Sequence, residues 1–364
     1  MRTYRQRGRP VSRLTRADAK KKNISILLGA IFVKKIYPPV FIVLIFFLVS
    51  GAACAHEILP GGRAEKMMRA LAEAYPEKIE RVEYRDGDWA VLMEGKWYFY
   101  SDNRLLPEEL LPMKENYSPQ SFYEYFTQLP EWRAHEGEAA ERMKNILQER
   151  RRNPPRRDSS FFDTIWNARN SNEAYGNLVK INFLGKSLNV HKDLAERFAK
   201  VEARINEAAK NDPALRYWIN NIGSVSAWNW RNVAATVSRS FHAYAVAVDI
   251  LPKNHRNLHT YWLWSADTTK EWYNIPYSQR WHPPDAVIMA FEAYGFCWGG
   301  KWQLFDTMHF EYRPEIMLMS GIAFEMGGDA EALLISVEAG ATINFPDFTE
   351  EWEAFLKRIN KEDD

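Results

Sequence analysis

Cysteine is nearly absent: only Cys54 and Cys297 occur in 364 residues. The two lie far apart and Cys54 sits in an apolar leader, so the rest of the chain has no internal disulfide framework and must be stabilised by core burial. No internal repeat is visible, which excludes a solenoid or propeller. Nothing after Glu57 is long and apolar enough to cross a bilayer. Net charge is small as well, +1 overall, but it is unevenly spread. Residues 1–55 carry eleven Lys or Arg and one Asp, which leaves the remainder at −9. An acidic body offers no electrostatic footprint for nucleic acid, and no nucleic-acid partner is expected.

What the chain does have begins with that basic start. It leads through Lys34-Lys35 into IYPPVFIVLIFFLVSGAACA. A charged region, an apolar run and a small-residue end together have the form of an export signal, so residues 1–55 are expected to direct export to the periplasm or cell envelope. Three outcomes stay open at its end. Ala53-Cys54-Ala55 fits a cleavage site, and Gly51-Ala52-Ala53-Cys54 loosely fits a lipid anchor on Cys54. A retained membrane helix of about 20 residues is the third. The last two would tether the protein to a membrane.

Residues 56–147 read as a small α+β module. Apolar residues at helical spacing predict a helix over Ala64 to Tyr75, and RDGDWAVLMEGKWYFYSDNRLLP predicts a hairpin turning at Glu94-Gly95-Lys96. Residues 148–160, QERRRNPPRRDSS, combine five Arg with two Pro and suit an exposed linker, hence a domain boundary. Beyond it, Leu194, Phe198, Val201 and Ile205 form one apolar stripe of a helix that ends near Asn211-Asp212-Pro213. A second helix is expected from Pro284 to Tyr294, with Asp285 at its positive end and Gly295 in the left-handed conformation that closes it. Residues 161–320 are read as one further domain and residues 321–364 as a helical extension ending in a solvated KRINKEDD.

The chemistry concentrates in two stretches, SFHAYAVAVD (240–249) and DTMHFEY (306–312). Seven residues separate His242 from Asp249, a rise of about 10.5 Å in a helix and roughly 23 Å in a strand, whereas zinc needs both ligand atoms at about 2.0–2.2 Å. Neither regular structure serves one ion. A turn after His242 followed by a strand would serve it, with Val246, Val248 and Ile250 on one face and Ala245, Ala247 and Asp249 on the other. His309 supplies a third ligand, and three protein ligands with an open fourth position is the catalytic zinc arrangement. Asp306 is the candidate base for an attacking water. By spacing alone, a buried histidine and two solvated aspartates remain an admissible reading.

SFHAYAVAVD resembles the S-x-H-x-x-G-x-A-x-D signature of the M15 family of zinc peptidases. GFCWGGKWQLFDTMHFE resembles the second signature, G-F-x-W-G-G followed by D-x-x-H-F, of the endopeptidase-like branch of that family, its subfamily C. The resemblance spans roughly Val190 to Pro314. It implies an α+β, hedgehog-like zinc peptidase domain with a central antiparallel sheet and flanking helices, acting as a D-alanyl-D-alanine carboxypeptidase or L-alanyl-D-glutamate endopeptidase on peptidoglycan peptides. By position it implies zinc on His242, Asp249 and His309, Asp306 as the catalytic carboxylate, Ser240 as a substrate contact, and Arg231 as the arginine that steadies substrate or transition-state charge. One departure stands out. The family glycine is Ala245 here, and a turn needing positive φ would cost alanine of the order of 1 kcal/mol or more. A zinc-containing module of the same fold that binds wall material or signals without turnover is the alternative.

The aromatic segment LHTYWLWSADTTKEWYNIPYSQRWHPP is expected to pack as core more than to wall a substrate groove. His255, His259 and His282 are taken as surface or packing residues, and Cys297 as a small core hydrophobe.

Overall fold

The computed structural model describes residues 62–326, so the export segment and the C-terminal extension beyond 326 lie outside the described residues. The described chain opens with α1 (Arg63–Ala74) and a meander of four antiparallel strands, β1 (Arg81–Arg85), β2 (Asp88–Met93), β3 (Lys96–Ser101) and β4 (Arg104–Pro107). Three helices follow, α2 (Gly137–Arg152), α3 (Ser160–Ile165) and α4 (Ser171–Gly176), then the hairpin β5 (Leu178–Phe183) and β6 (Lys186–His191). Helices α5 (Ala195–Ala209) and α6 (Pro213–Asn220) lead to β7 (Ile222–Ser226) and β8 (Ala247–Pro252). The last elements are α7 (Trp262–Thr268), α8 (Asp285–Glu292), β9 (Phe296–Trp298), β10 (His309–Tyr312) and α9 (Pro314–Met319). Strands β7, β8, β10 and β9 form, in that order, an antiparallel sheet. The class is α+β.

Local chemistry explains most of these elements. The expected hairpin extends into a longer meander, because two further turns reverse the chain. Asp86-Gly87 and Asp102-Asn103 all adopt positive φ, as Glu94-Gly95 does between β2 and β3. Asp, Asn and Gly tolerate that region, and such pairs close two-residue hairpins whose twist matches the strands. The stripe read over Leu194 to Ile205 lies on α5, with Phe198, Val201 and Ile205 buried. Asp212 then caps α6, its carboxylate accepting the Leu215 N–H at 3.0 Å, with Pro213 at the first helical position. Gly295 follows α8 at φ 85, the left-handed closure expected of it.

Two regions differ from the sequence reading. Gln148 to Arg152, expected in an exposed linker, form the end of α2; Gln, Glu and Arg are good helix formers, and the chain breaks only at Asn153 and the two prolines behind it. Residues 62–107 also share one core with the region read as catalytic. Met67, Leu71 and Tyr75 belong to the same buried cluster as Phe161, Phe198, Phe291 and Phe310, and the Tyr75 ring meets Trp166 edge-on with centroids 5.8 Å apart. The aromatic segment between the ligands packs inward: Trp262, Trp272, Tyr273 and Ile275 cluster with Met143 of α2 and Phe305. Trp264 is its exposed exception.

A shared core should unfold as one. Leu71, fully buried in α1, should cost about 2–5 kcal/mol when truncated to alanine. Calorimetry of Leu71→Ala should show one transition moved down as a whole; a separate early transition for the N-terminal residues would contradict the common core.

Candidate metal centre

The site begins with a turn. Ser240 stands before a 3₁₀ turn over Phe241–Tyr244, and its hydroxyl accepts the His242 N–H at 3.3 Å. Ala245 then takes φ 59 and ψ 31, a left-handed conformation, after which the chain enters β8. This is the turn-then-strand path that the His242–Asp249 spacing demanded. The backbone conformation required at position 245 is the one glycine adopts freely and alanine adopts at a cost of about 1–2 kcal/mol. Surrounding structure holds it there: Ala245 N–H donates to His242 O at 3.0 Å, and its carbonyl accepts from His191 N–H at 2.9 Å. No glycine is needed, but the strain is real.

Sheet register supplies the other two groups. Asp249 on β8 lies directly opposite His309 on β10, so their side chains emerge side by side on one face. His242 Nε2 lies 3.2 Å from His309 Nδ1 and 3.2 Å from Asp249 Oδ2, and His309 Nδ1 lies 2.9 Å from Asp249 Oδ1. Ligand atoms bound tetrahedrally at about 2.0–2.2 Å stand roughly 3.3–3.6 Å apart, a few tenths of an ångström wider than here. Two imidazoles and a carboxylate are also a donor set zinc accepts, so the residues present fit the ion.

Hydrogen bonds behind the ligands fix their tautomers. His242 Nδ1 lies 2.6 Å from Ala227 O; a carbonyl only accepts, so Nδ1 carries the proton and the Nε2 lone pair faces the site. His309 Nε2 lies 3.3 Å from Glu311 Oε2, so His309 presents Nδ1 by the same argument. In the metal-free protein burial lowers the His309 pKa, but hydrogen bonds to Asp249 and Glu311 outweigh it and leave the ring raised to about 10. Burial pushes the Asp249 carboxyl up, yet His242 and His309 prevail and hold it well below the usual carboxylate range.

Asp306 precedes His309 in a tight turn, with His309 N–H donating to its carbonyl at 3.2 Å. Its Oδ1 is buried and makes no hydrogen bond. Burial, the largest influence, raises its pKa to about 8, with the Asp249 charge adding to the rise and His309 and Arg231 opposing it. An orphaned carboxylate oxygen costs free energy that a folded chain seldom tolerates without use. Arg231 is exposed, and its described hydrogen bond runs to Asn232 O at 3.3 Å. The structure thus brings His242, Asp249 and His309 together, sets Asp306 in electrostatic range of His309 and Asp249, leaves Arg231 acting on Asp306, and buries Ser240 to 4% exposure as the cap of the turn. His255, His259 and His282 hydrogen-bond elsewhere, to Leu258 O, Ser265 Oγ and Pro283 O. Cys297 is fully buried, its thiol pushed up by burial.

The Trp298-Gly299-Gly300 run has a steric reason. A Cβ on Gly299 would lie 2.5 Å from Asp306 O, and one on Gly300 would lie 2.1 Å from the Trp298 ring. The loop carrying Asp306 closes onto this backbone, Asp306 N–H donating to Gly299 O at 3.0 Å. Sequence reasoning missed a second set of residues. Glu311, Arg313 and Glu315 stand two apart in a wholly buried stretch, a period-two charge pattern legible in HFEYRPE. Arg313 lies between the two carboxylates, Nη1 donating to Glu311 Oε1 at 2.9 Å and Nε to Glu315 Oε1 at 2.5 Å.

Comparison with known proteins bears on the same stretch. Residues 234–312 match the M15 peptidase family model described as D-alanyl-D-alanine carboxypeptidase. That segment contains His242, Asp249, His309 and Asp306, and over it the chain is similar to M15 peptidases. Residues 67–122 match a domain of unknown function. No curated protein and no solved structure matches the chain.

Two outcomes follow. Ala245→Gly relieves the left-handed strain but loses a buried methyl worth about 0.8 kcal/mol and adds unfolded-state entropy of similar size. Stability should therefore change by less than about 1 kcal/mol, while Ala245→Val, β-branched at positive φ, should lose several times that and the metal site with it. Denaturant melts and metal analysis check both. Because His309 is raised to about 10, a zinc ion binding there would have to displace its proton at neutral pH. Apparent affinity in a chelator competition should rise by up to about tenfold per pH unit toward that value and level off above it; a pH-independent affinity would show that no proton is released.

Proposed function

We propose that the protein is a zinc-dependent peptidase that hydrolyses a peptide bond in peptidoglycan stem peptides during cell-wall remodelling, in the hedgehog-like arrangement of the M15 family. The observation that carries the reading is the convergence of His242 Nε2, His309 Nδ1 and Asp249 within 2.9–3.2 Å of one another, beside a carboxylate with a buried, unpaired oxygen. The family match over residues 234–312 supports peptidase chemistry there. The Asp-x-x-His spacing and the Trp-Gly-Gly run favour the endopeptidase-like branch, subfamily C, and the description of the matching family model favours a carboxypeptidase, so the bond cleaved is one of these two. The basic, apolar leader of residues 1–55 supports export to the cell envelope, with cleavage, a lipid on Cys54 or a retained helix deciding any membrane tether.

In this mechanism His242, Asp249 and His309 hold the ion, and Glu311 and Ala227 O keep the two imidazoles facing it. A zinc ion there supplies Lewis acidity, polarising a carbonyl oxygen and acidifying water. Asp306 accepts the proton of the attacking water and returns it to the leaving amine. Burial, the largest influence, raises Asp306 to about 8; a neighbouring dication would draw that value down, so that the base is ionised at neutral pH yet basic enough to take a proton. Arg231, always charged and exposed, orients a substrate carboxylate or steadies the developing oxyanion. Ser240, by capping the turn, keeps His242 in place, and among the described residues its hydroxyl hydrogen is free to contact substrate.

The test incubates full-length protein with purified muropeptides, with zinc or with chelator, and reads products by mass. Asp306→Asn should lower kcat by roughly 10²–10⁴ while retaining zinc. Identical product profiles from wild type and Asp306→Asn would sink the catalytic reading. His309→Ala should lose zinc, and Cys297→Ala should keep it.

A further inference from the structure

The His309 ligand is not held by the catalytic segment alone. Its Nε2 leans on Glu311 Oε2, and the other oxygen of Glu311 accepts both Arg313 Nη1 at 2.9 Å and the Tyr123 hydroxyl at 3.2 Å. Arg313 passes the connection on to Glu315, whose second oxygen accepts the Tyr75 hydroxyl at 2.8 Å. The remaining Arg313 nitrogen, Nη2, donates to Ser121 O at 3.2 Å, and the guanidinium carbon lies 4.5 Å from the centroid of the Phe241 ring. Glu311, Arg313 and Glu315 are 6%, 1% and 0% exposed. These three charges sum to −1 and are shut off from water, so they persist only where every oxygen and nitrogen is satisfied.

Three of the groups that satisfy them come from the N-terminal part of the chain: Tyr75 at the end of α1, Ser121 and Tyr123. Burial raises the pKa of both phenols well above the ordinary value, so each stays protonated and donates. The segment is fastened beside the same strands a second time. Tyr125 OH accepts Trp298 N–H at 2.7 Å and donates to Glu292, and Lys301 Nζ binds Phe126 O and Thr127 O at 2.9 and 3.0 Å. Tyr75 and Ser121 lie within the stretch that matches a domain of unknown function, and Tyr123 directly follows it.

We propose that this N-terminal region serves as a brace for the metal site, with Tyr123 and Tyr75 as positioning residues that act on His309 through Glu311, Arg313 and Glu315. The inference rests on the metal reading above and adds to it a role for residues 67–123. The physical content is that a ligand imidazole whose N–H partner is fixed loses less entropy on binding and is more basic. The carboxylate that fixes it is itself anchored from both sides. An isolated peptidase core cut from this chain would leave Arg313 and Glu315 buried without those partners.

The experiment uses the full chain with Tyr123→Phe and Tyr75→Phe, each removing one hydroxyl and little volume. Tyr98→Phe is the control, since its buried hydroxyl meets Ser160 O and Thr164 Oγ1 at 3.4 and 3.3 Å, away from the charged chain. Zinc affinity by chelator competition, the visible spectrum of the cobalt-loaded protein, and Tm are read for each. The Tyr123 variant should bind zinc about tenfold more weakly, at the low end of what ligand-supporting partners contribute, and should alter the cobalt spectrum. Tyr75→Phe should weaken zinc in the same direction by a smaller factor, and Tyr98→Phe should lower Tm without touching either metal readout. On a Glu311→Gln background, Tyr123→Phe should have no further effect on zinc, because its route to His309 is already cut. Wild-type zinc affinity and spectrum in both relay variants, or an equal loss in the control, would overturn the proposal. A wild-type protein that binds no zinc would instead remove the metal reading on which it rests.

Discussion

A fully buried guanidinium is the constraint around which the site is assembled. Arg313 cannot shed its charge, and transferring it from water costs several kcal/mol unless partners recover that energy. Burial alone would lower its pKa, but Glu315 and Glu311 outweigh that and raise it. Those carboxylates are buried in turn and need donors of their own. They find them in His309, Tyr123 and Tyr75. One charge therefore dictates the placement of β10, α9, the end of α1 and the chain around Ser121. The strand that leads into this charge also carries His309, so the electrostatic demand and the placing of His309 opposite Asp249 are solved by the same register.

Close backbone approach is the second condition. The loop bearing Asp306 reaches its place because Gly299 and Gly300 present no side chain to it or to the Trp298 indole. The chain between His242 and Asp249 reaches its place because Ala245 accepts a left-handed conformation under the hold of two backbone hydrogen bonds. Strain at 245 and an unpaired oxygen on Asp306 both sit within a few residues of the proposed ligands. Elsewhere the apolar stripe of α5 turns inward and Asn170 and Asp212 cap the starts of α4 and α6, while Leu184 and Ala235 also take positive φ.

How much of this is legible in the sequence varies with the range of the interaction. Helices α1, α5 and α8 are readable because apolar periodicity and capping residues act within a turn or two. The four-stranded meander is half readable: the Glu94-Gly95 turn stands out between its aromatic arms, while Asp86-Gly87 and Asp102-Asn103 carry turn chemistry just as strong that a single-hairpin reading passes over. Reading 148–160 as a linker gives too much weight to five arginines and too little to their helix propensity. Charge density looks like solvent exposure until a neighbouring surface is known, and here Arg150 lies 5.3 Å from the centroid of the Trp262 ring.

The sequence alone determined the identities and spacing of His242, Asp249, Asp306 and His309, and the need for a turn between the first two. Those follow from ligand chemistry and chain length. Only the tertiary structure decided that Asp249 stands opposite His309, that Ser240 caps the turn before His242, and that the hydroxyls of Tyr75 and Tyr123 reach Glu315 and Glu311 some two hundred residues away in sequence. The reason is that a one-dimensional pattern specifies which face a residue takes in its own element. Which faces meet is settled by burial of the shared core and by the compensation that buried charges require.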